Sequence, residues 1–310
     1  MDNDIALLQL YFTPGLGART LFKLLKRLIS EQRSVSEFVK ASHSEITDEY
    51  KIKPDIIAKL DEQLETAERT YEELNKNQIQ LIYFGHPDYP GKLIEALNET
   101  SPPVLFVRGD TALLTKKAVG FCGSRDISET AYEVTERCAS VLAKDGVNII
   151  SGFASGADSA AHLGALKAGG VTTMVLATGI LQFQTKGELG HYLDESNHLI
   201  LSEFYPEAAW QAHNAMVRNK TVCGLSDAVV LTASETKGGT FEAGKTCLEL
   251  GLPLYVVKYN DSESMPEGNK HFLERGATPL KLDESNNPIL DRVFDSLKND
   301  RVFKRQLSMF

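Results

Sequence analysis

Residues 118–158 read AVGFCGSRDISETAYEVTERCASVLAKDGVNIISGFASGAD. A short apolar run, Ala118, Val119 and Phe121, breaks at Gly123-Ser124-Arg125. A helix-length amphipathic segment follows, with Tyr132, Val134, Ala139, Val141 and Leu142 among its apolar positions. A second apolar run then ends in Ser151-Gly152. Strand, small-residue turn, helix and strand predict a βαβ unit, and with it a parallel sheet. Both turns fall at strand C-terminal ends, where open α/β sheets bind ligands. Small residues there let backbone amides and a helix N-terminus approach an anion, and Arg125 adds a planar fork suited to phosphate.

Downstream the alternation continues. Apolar strand-like runs at residues 172–176, 199–202, 228–231 and 254–257 are separated by helical segments at 160–168, 217–225 and 241–250, with a last short run at 278–282. This rhythm predicts a Rossmann-like, doubly wound, mostly parallel sheet with helices on both faces. Upstream, residues 1–75 read as helical. Residues 18–29 place Leu21, Leu25 and Leu28 on one face, and Arg19, Lys23, Lys26 and Arg27 on the other. The preceding turn, Pro14-Gly15-Leu16-Gly17, fits a helix-hairpin-helix unit that binds DNA phosphates, or a plain helical hairpin with a solvated basic face. A third stretch, 56–73, is strongly acidic and is expected to face solvent. The expected domains are therefore 1–75, helical; 76–285, α/β; and 286–310, a tail with no winged helix, ending in a basic cluster at Arg301, Lys304 and Arg305.

The chain has 310 residues, 42% hydrophobic and 24% charged, with a formal net charge of −9, which is the profile of an ordinary globular protein. That charge argues against a surface that coats nucleic acid everywhere, so any anion site must be built locally. No apolar run approaches the ~20 residues of a membrane helix. The N-terminus lacks a signal-peptide pattern, so a cytoplasmic protein is expected. Cys122, Cys138, Cys223 and Cys247 lack metal-ligand spacing and read as buried free thiols. The histidines are dispersed and no carboxylate cluster has ligand spacing, so neither metal nor cofactor is expected.

Several ordered motifs over roughly residues 80–280 resemble the DprA/Smf family of DNA-processing proteins. Asp88-Tyr89-Pro90, Pro102-Pro103-Val104-Leu105-Phe106 and Gly109-Asp110 resemble the approach to its first core strand. Gly123-Ser124-Arg125 resembles its GSR turn, and Ser151-Gly152-Phe153-Ala154 with Gly156 and Asp158 its second turn. Arg218-Asn219, Gly224-Leu225-Ser226-Asp227, Gly268-Asn269 and Gly276-Ala277 follow in order. Ser155 stands where the family usually carries arginine, Lys220 replaces the second arginine of an RNR motif, and Lys237-Gly238-Gly239-Thr240 replaces a Ser-Gly-Ser segment.

The resemblance implies a non-catalytic protein that binds single-stranded DNA, loads a RecA-type recombinase in DNA uptake or recombination, and forms a homodimer. The phosphate-binding residues expected are Gly123, Ser124, Arg125, Ser151, Gly152, Ser155, Gly156, Arg218, Asn219, Lys220, Gly238, Gly239 and Thr240. Arg218 and Lys220 are expected to open a helix, where an anion would explain cations in the first turn. Phe153, Phe183 and Tyr205 are candidate base platforms. Asp158 reads as a helix N-cap and His162 as a satisfied, semi-buried histidine. The alternative is a nucleotide-binding sensor or a nucleotide N-glycoside hydrolase. Glu242, shortly after the Gly238-Gly239-Thr240 turn, resembles the catalytic glutamate of the cytokinin-activating phosphoribohydrolases, although only Phe241 separates it from the threonine.

Overall fold

The computed structural model describes residues 2–185, 187–261 and 265–298. They form two compact units, one of residues 2–108, 178–182 and 202–209, the other of the described residues within 109–177, 183–201 and 210–298.

In the first unit, six helices precede the first strand: α1 (Asn3–Phe12), α2 (Ala18–Ser30), α3 (Val35–Val39), α4 (His43–Tyr50), α5 (Pro54–Asp61) and α6 (Leu64–Lys76). The acidic stretch expected as one helix is two, because Pro54 starts α5 and the chain breaks at Glu62-Gln63 before α6. Strand β1 (Gln80–Tyr83), helix α7 (Gly91–Leu97) and strand β2 (Val104–Gly109) complete the unit, with β1 and β2 antiparallel and Ile82 opposite Leu105. This unit runs past the texture change at 75/76 because the β1 region packs on its helices: Tyr83 Oη accepts from Asn3 Nδ2, and the rings of Phe22 and Phe84 lie 4.4 Å apart. On α2, Leu21, Phe22, Leu24, Leu25 and Leu28 are buried, as the helical period requires. Of its four cations three are in ion pairs, and Lys26 is exposed. Arg19 and Lys23 pair with Glu99 at 3.1 and 3.2 Å, and Arg27 pairs with Glu31 at 2.6 Å.

In the second unit the order is β3 (Ala118–Cys122), α8 (Glu129–Lys144), β4 (Asn148–Ser151), α9 (Ala157–Lys167), β5 (Thr172–Val175) and β6 (His198–Ser202). Then come α10 (Ala212–Leu225), β7 (Ala228–Leu231), α11 (Gly239–Glu249), β8 (Leu254–Lys258), α12 (Glu267–Glu274), β9 (Thr278–Lys281) and α13 (Asp291–Lys298). The strands lie in the order β6-β5-β4-β3-β7-β8-β9, with every pairing parallel. The chain thus starts at β3, winds outward one way to β6, and returns to wind the other way from β7. The fold is the expected Rossmann-like, doubly wound one, and its switch point lies between β3 and β7.

Side chains alternate across β3. Val119 and Phe121 join a core with Val134, Cys138 and Leu142 of α8 and with Val293 and Leu297 of α13. Gly120 faces the other way, beneath Ser226 at the end of α10. Residues 286–298, expected as the start of a tail, belong to this core: Ile289 N–H donates to Lys281 O, and Leu290, Val293 and Leu297 are buried. The basic cluster Arg301, Lys304 and Arg305 lies outside the described residues. Among those described, no helix is long and apolar enough to cross a membrane.

Candidate nucleic-acid interface

A crevice of about 520 Å³ opens at the switch point, beyond the C-terminal ends of β3 and β4. One wall is the turn Gly123-Ser124-Arg125, pinned to the segment after β7 by Ser124 N–H donating to Ala233 O at 2.8 Å. The second turn closes on the first. Ala157 N–H, the first amide of α9, donates to Ser124 O, and Gly156 (φ +71°) sits against the Ser124 and Arg125 carbonyls where no Cβ fits. The third wall is the start of α11, whose N-cap Gly238 (φ +93°) offers no side chain to the first-turn amides. Those amides carry the positive end of the helix dipole.

The floor is a buried polar cluster. Arg218 is 6% exposed; its Nη1 lies 3.5 Å from Asp158 Oδ2 and donates to Val175 O at 3.2 Å, while Nε has no partner. Asp158 also accepts from Ser151 Oγ at 2.8 Å and from Ala154 N–H at 3.2 Å. Beneath, His162 Nε2 lies 2.5 Å from Gly152 O, and Nδ1 lies 2.7 Å from Thr172 Oγ1. A carbonyl only accepts, so Nε2 carries the proton. Burial lowers the His162 pKa below the ordinary imidazole value, and the Thr172 hydroxyl beside Nδ1 donates its own proton to Ile149 O at 2.7 Å.

The expected residues divide into four groups. Gly123, Ser124, Arg125, Gly152, Arg218, Asn219, Gly238, Gly239 and Thr240 line the crevice. Ser155 lines an adjoining recess instead. Ser151 is fully buried in the floor, and Gly156 serves the packing of the two turns. Lys220 is exposed and absent from the lining. Helix α10 begins at Ala212, so Arg218 and Lys220 lie in its middle; two residues at ~100° each put them on different faces. Neither cation therefore lies at the helix start, where an anion would have explained it. Asp158 is not a cap either: Gly156 holds the N-cap position, and the Asp158 carboxylate turns back to the floor. Glu242 is outside the crevice, exposed on α11 and paired with Lys245 at 2.7 Å.

Two lining cations, Arg125 and Lys237, have no carboxylate partner among the described residues; Glu235 is the exposed acid between the walls. Trp210, half exposed, also lines the site, and its ring lies 5.0 Å from the Arg125 guanidinium. Sequence reading passed over it, and the signal available was that it is the single tryptophan of the chain. Of the expected platforms, Phe153 and Phe183 face each other at 5.0 Å, whereas Tyr205 belongs to the first unit and packs on Tyr11 and Phe12. All four cysteines are free and buried, and Cys122 at the crevice floor is held well above the usual thiol pKa by its hydrogen bond with Cys223 and by burial.

The model of the family described as DNA recombination-mediator protein A matches residues 80–292. The DNA processing protein DprA of Streptococcus pneumoniae is 30% identical over 191 residues, 61% of this chain and 66% of that protein. Protein Smf of Borreliella burgdorferi is 33% identical over 214 residues, 67% of this chain and 65% of that one. The chain thus spans just under two thirds of the length of these relatives. Among solved structures, DprA of Streptococcus pneumoniae superposes with a TM-score of 0.75 at 24% identity, covering 90% of this chain and 95% of that one. DNA processing protein A of Helicobacter pylori, whose structure concerns its single-stranded DNA binding mode, gives 0.58 at 24% identity over 71% and 94%. At these identities the superpositions speak for the fold.

Proposed function

We propose that this chain, which belongs to the DNA recombination-mediator protein A family, binds the phosphate backbone of single-stranded DNA in the crevice between β3 and β7. The observation that carries this reading is convergence: Arg125, Lys237 and the uncapped α11 amides meet at the switch point of the sheet. Arg218 has another part. Its charge is engaged by Asp158, so it shapes the floor and contributes little net field. The strand-loading role that follows from the family resemblance is non-catalytic, hands DNA to a RecA-type recombinase, uses a homodimer, and operates in the cytoplasm. The pairing of Glu242 with Lys245, outside the crevice lining, speaks against a hydrolytic role for that residue.

A small nucleotide is the second reading, favoured by a volume of about 520 Å³, which falls within the range of small-molecule sites. Anisotropy titration of labelled single-stranded DNA at low and moderate salt, with wild type and the Arg125→Ala/Lys237→Ala variant, tests the first. Binding that weakens steeply with salt and is lost in the variant supports it. Absence of binding at low salt overturns it.

A further inference from the structure

Trp210 is half exposed, at 51%, although tryptophan carries the largest apolar surface of any side chain. It lines two cavities at once. On one side is the crevice; on the other is a recess of about 600 Å³ that shares Arg125, Ala154 and Trp210 with it. The two differ in chemistry. The crevice presents Arg125, Lys237 and helix amides, whereas the recess presents Tyr132, Phe153 and Leu189 together with Ser159 and Glu188. Phe153 is itself braced by Phe183. The indole and the Arg125 guanidinium, 5.0 Å apart, form the divider.

A polynucleotide alternates an anionic backbone with apolar, π-faced bases, and a cationic channel beside an aromatic recess matches that alternation. A mononucleotide offers the two compartments one phosphate and one base, whereas a strand offers several of each on one covalent chain, so further contacts form at high effective concentration. We infer that Trp210 is a nucleobase-stacking platform, and that with the Phe153 recess it makes the site select consecutive nucleotides of a single strand over free mononucleotides. The inference rests on the DNA reading of the crevice. Arg125 then has two roles: it pairs with phosphate, and it polarises the face of the indole against which it lies. Stacking tolerates any base, so no sequence preference follows from it.

Because the chain has one tryptophan, its emission reports on this position alone. The experiment titrates oligo-dT of about 16 nucleotides, and separately dTMP, into wild type, Trp210→Ala and Trp210→Phe. Anisotropy of labelled oligo-dT follows binding, and indole emission of the wild type follows stacking. Expected are quenching that saturates together with anisotropy, weakening of about 5- to 100-fold in Trp210→Ala, and near wild-type affinity in Trp210→Phe. Quenching by dTMP should require far higher concentrations. Unchanged emission and unchanged affinity of Trp210→Ala, with anisotropy still reporting DNA, would sink the platform and leave backbone binding standing. dTMP binding as tightly as oligo-dT would overturn the strand selectivity. No anisotropy signal from wild type would instead remove the DNA reading itself. Circular dichroism of Trp210→Ala checks its folding, and the wild-type quenching decides independently of that variant.

Discussion

The guanidinium of Arg218 occupies the space that a side chain at residue 152 would fill: a Cβ added to Gly152 would fall on Nη1, with Asp158 Oδ2 close behind. Glycine at 152 is thus a requirement of packing more than of backbone conformation. Gly152→Ala should destabilise the protein by about 1–3 kcal/mol from overpacking, and more if the ion pair separates. Gly91→Ala, where nothing lies near the new methyl group, should shift stability by less than about 0.5 kcal/mol. Urea midpoints of the two variants check the contrast.

Arg218 and Asp158 are both nearly buried, so removing one strands the other. Asp158→Ala and Arg218→Met should each cost about 3–5 kcal/mol. The combined variant Arg218→Met/Asp158→Ala should cost clearly less than their sum. Additive losses in a double-mutant cycle would show that the two do not act as a unit.

Lys237 lines the crevice and Lys220 does not. Lys237→Ala should weaken single-stranded DNA binding and lower the slope of log affinity against log salt by about 1. Lys220→Ala and Glu242→Gln should leave both affinity and slope at wild-type values. Equal effects of the two lysine substitutions would place the DNA elsewhere than in this crevice.

Burial, the largest influence on His162, lowers its pKa in the folded state below the ordinary value of 6.5, which the unfolded chain retains. The folded form therefore binds fewer protons than the unfolded form below that value. The contribution is complete above pH 6.5 and is lost as pH falls from there toward the folded pKa. The loss has a limiting slope of about 1.4 kcal/mol per pH unit. His162→Gln should flatten this limb of the curve, measured as unfolding free energy between pH 8 and pH 5.

Burial pushes up the Cys138 thiol, and Cys122 is raised by its hydrogen bond with Cys223 together with burial. Ellman's reagent should label less than one thiol per folded chain over minutes, and all four in guanidinium. Rapid labelling of the native protein would mean that the crevice floor opens.

The fold was legible where chemistry repeats locally. Apolar runs ending at Gly123-Ser124 and Ser151-Gly152 identified two strands and their turns, because a buried parallel strand needs little else. Helix α10 shows the limit. Gln211 caps it without a side-chain hydrogen bond, so nothing in the sequence marked its start at Ala212, and the expected start at 217 put Arg218 and Lys220 in the wrong turn. The Asp158–Arg218 pair spans 60 positions and was invisible to spacing. Trp210 escaped for a related reason. A lone aromatic in an irregular segment has no period to announce it, and its meaning comes from Arg125, 85 residues away in the chain.

The first unit is assembled from three stretches of chain, the last two arriving after β5 and β6. Tyr11 Oη donates to Glu203 O at 2.9 Å and its ring meets Tyr205 at 5.0 Å, so the late stretches are part of its fabric. A gene cut once at codon 108 therefore does not release a whole module. The fragment lacks two of its pieces, and the remainder carries those pieces with nothing to close on. Exchange of this unit intact between homologous genes would need a junction at each of its five boundaries within the chain, and a single junction would yield a chimera with a mismatched seam at Tyr11. No single cut in the chain therefore separates the two units.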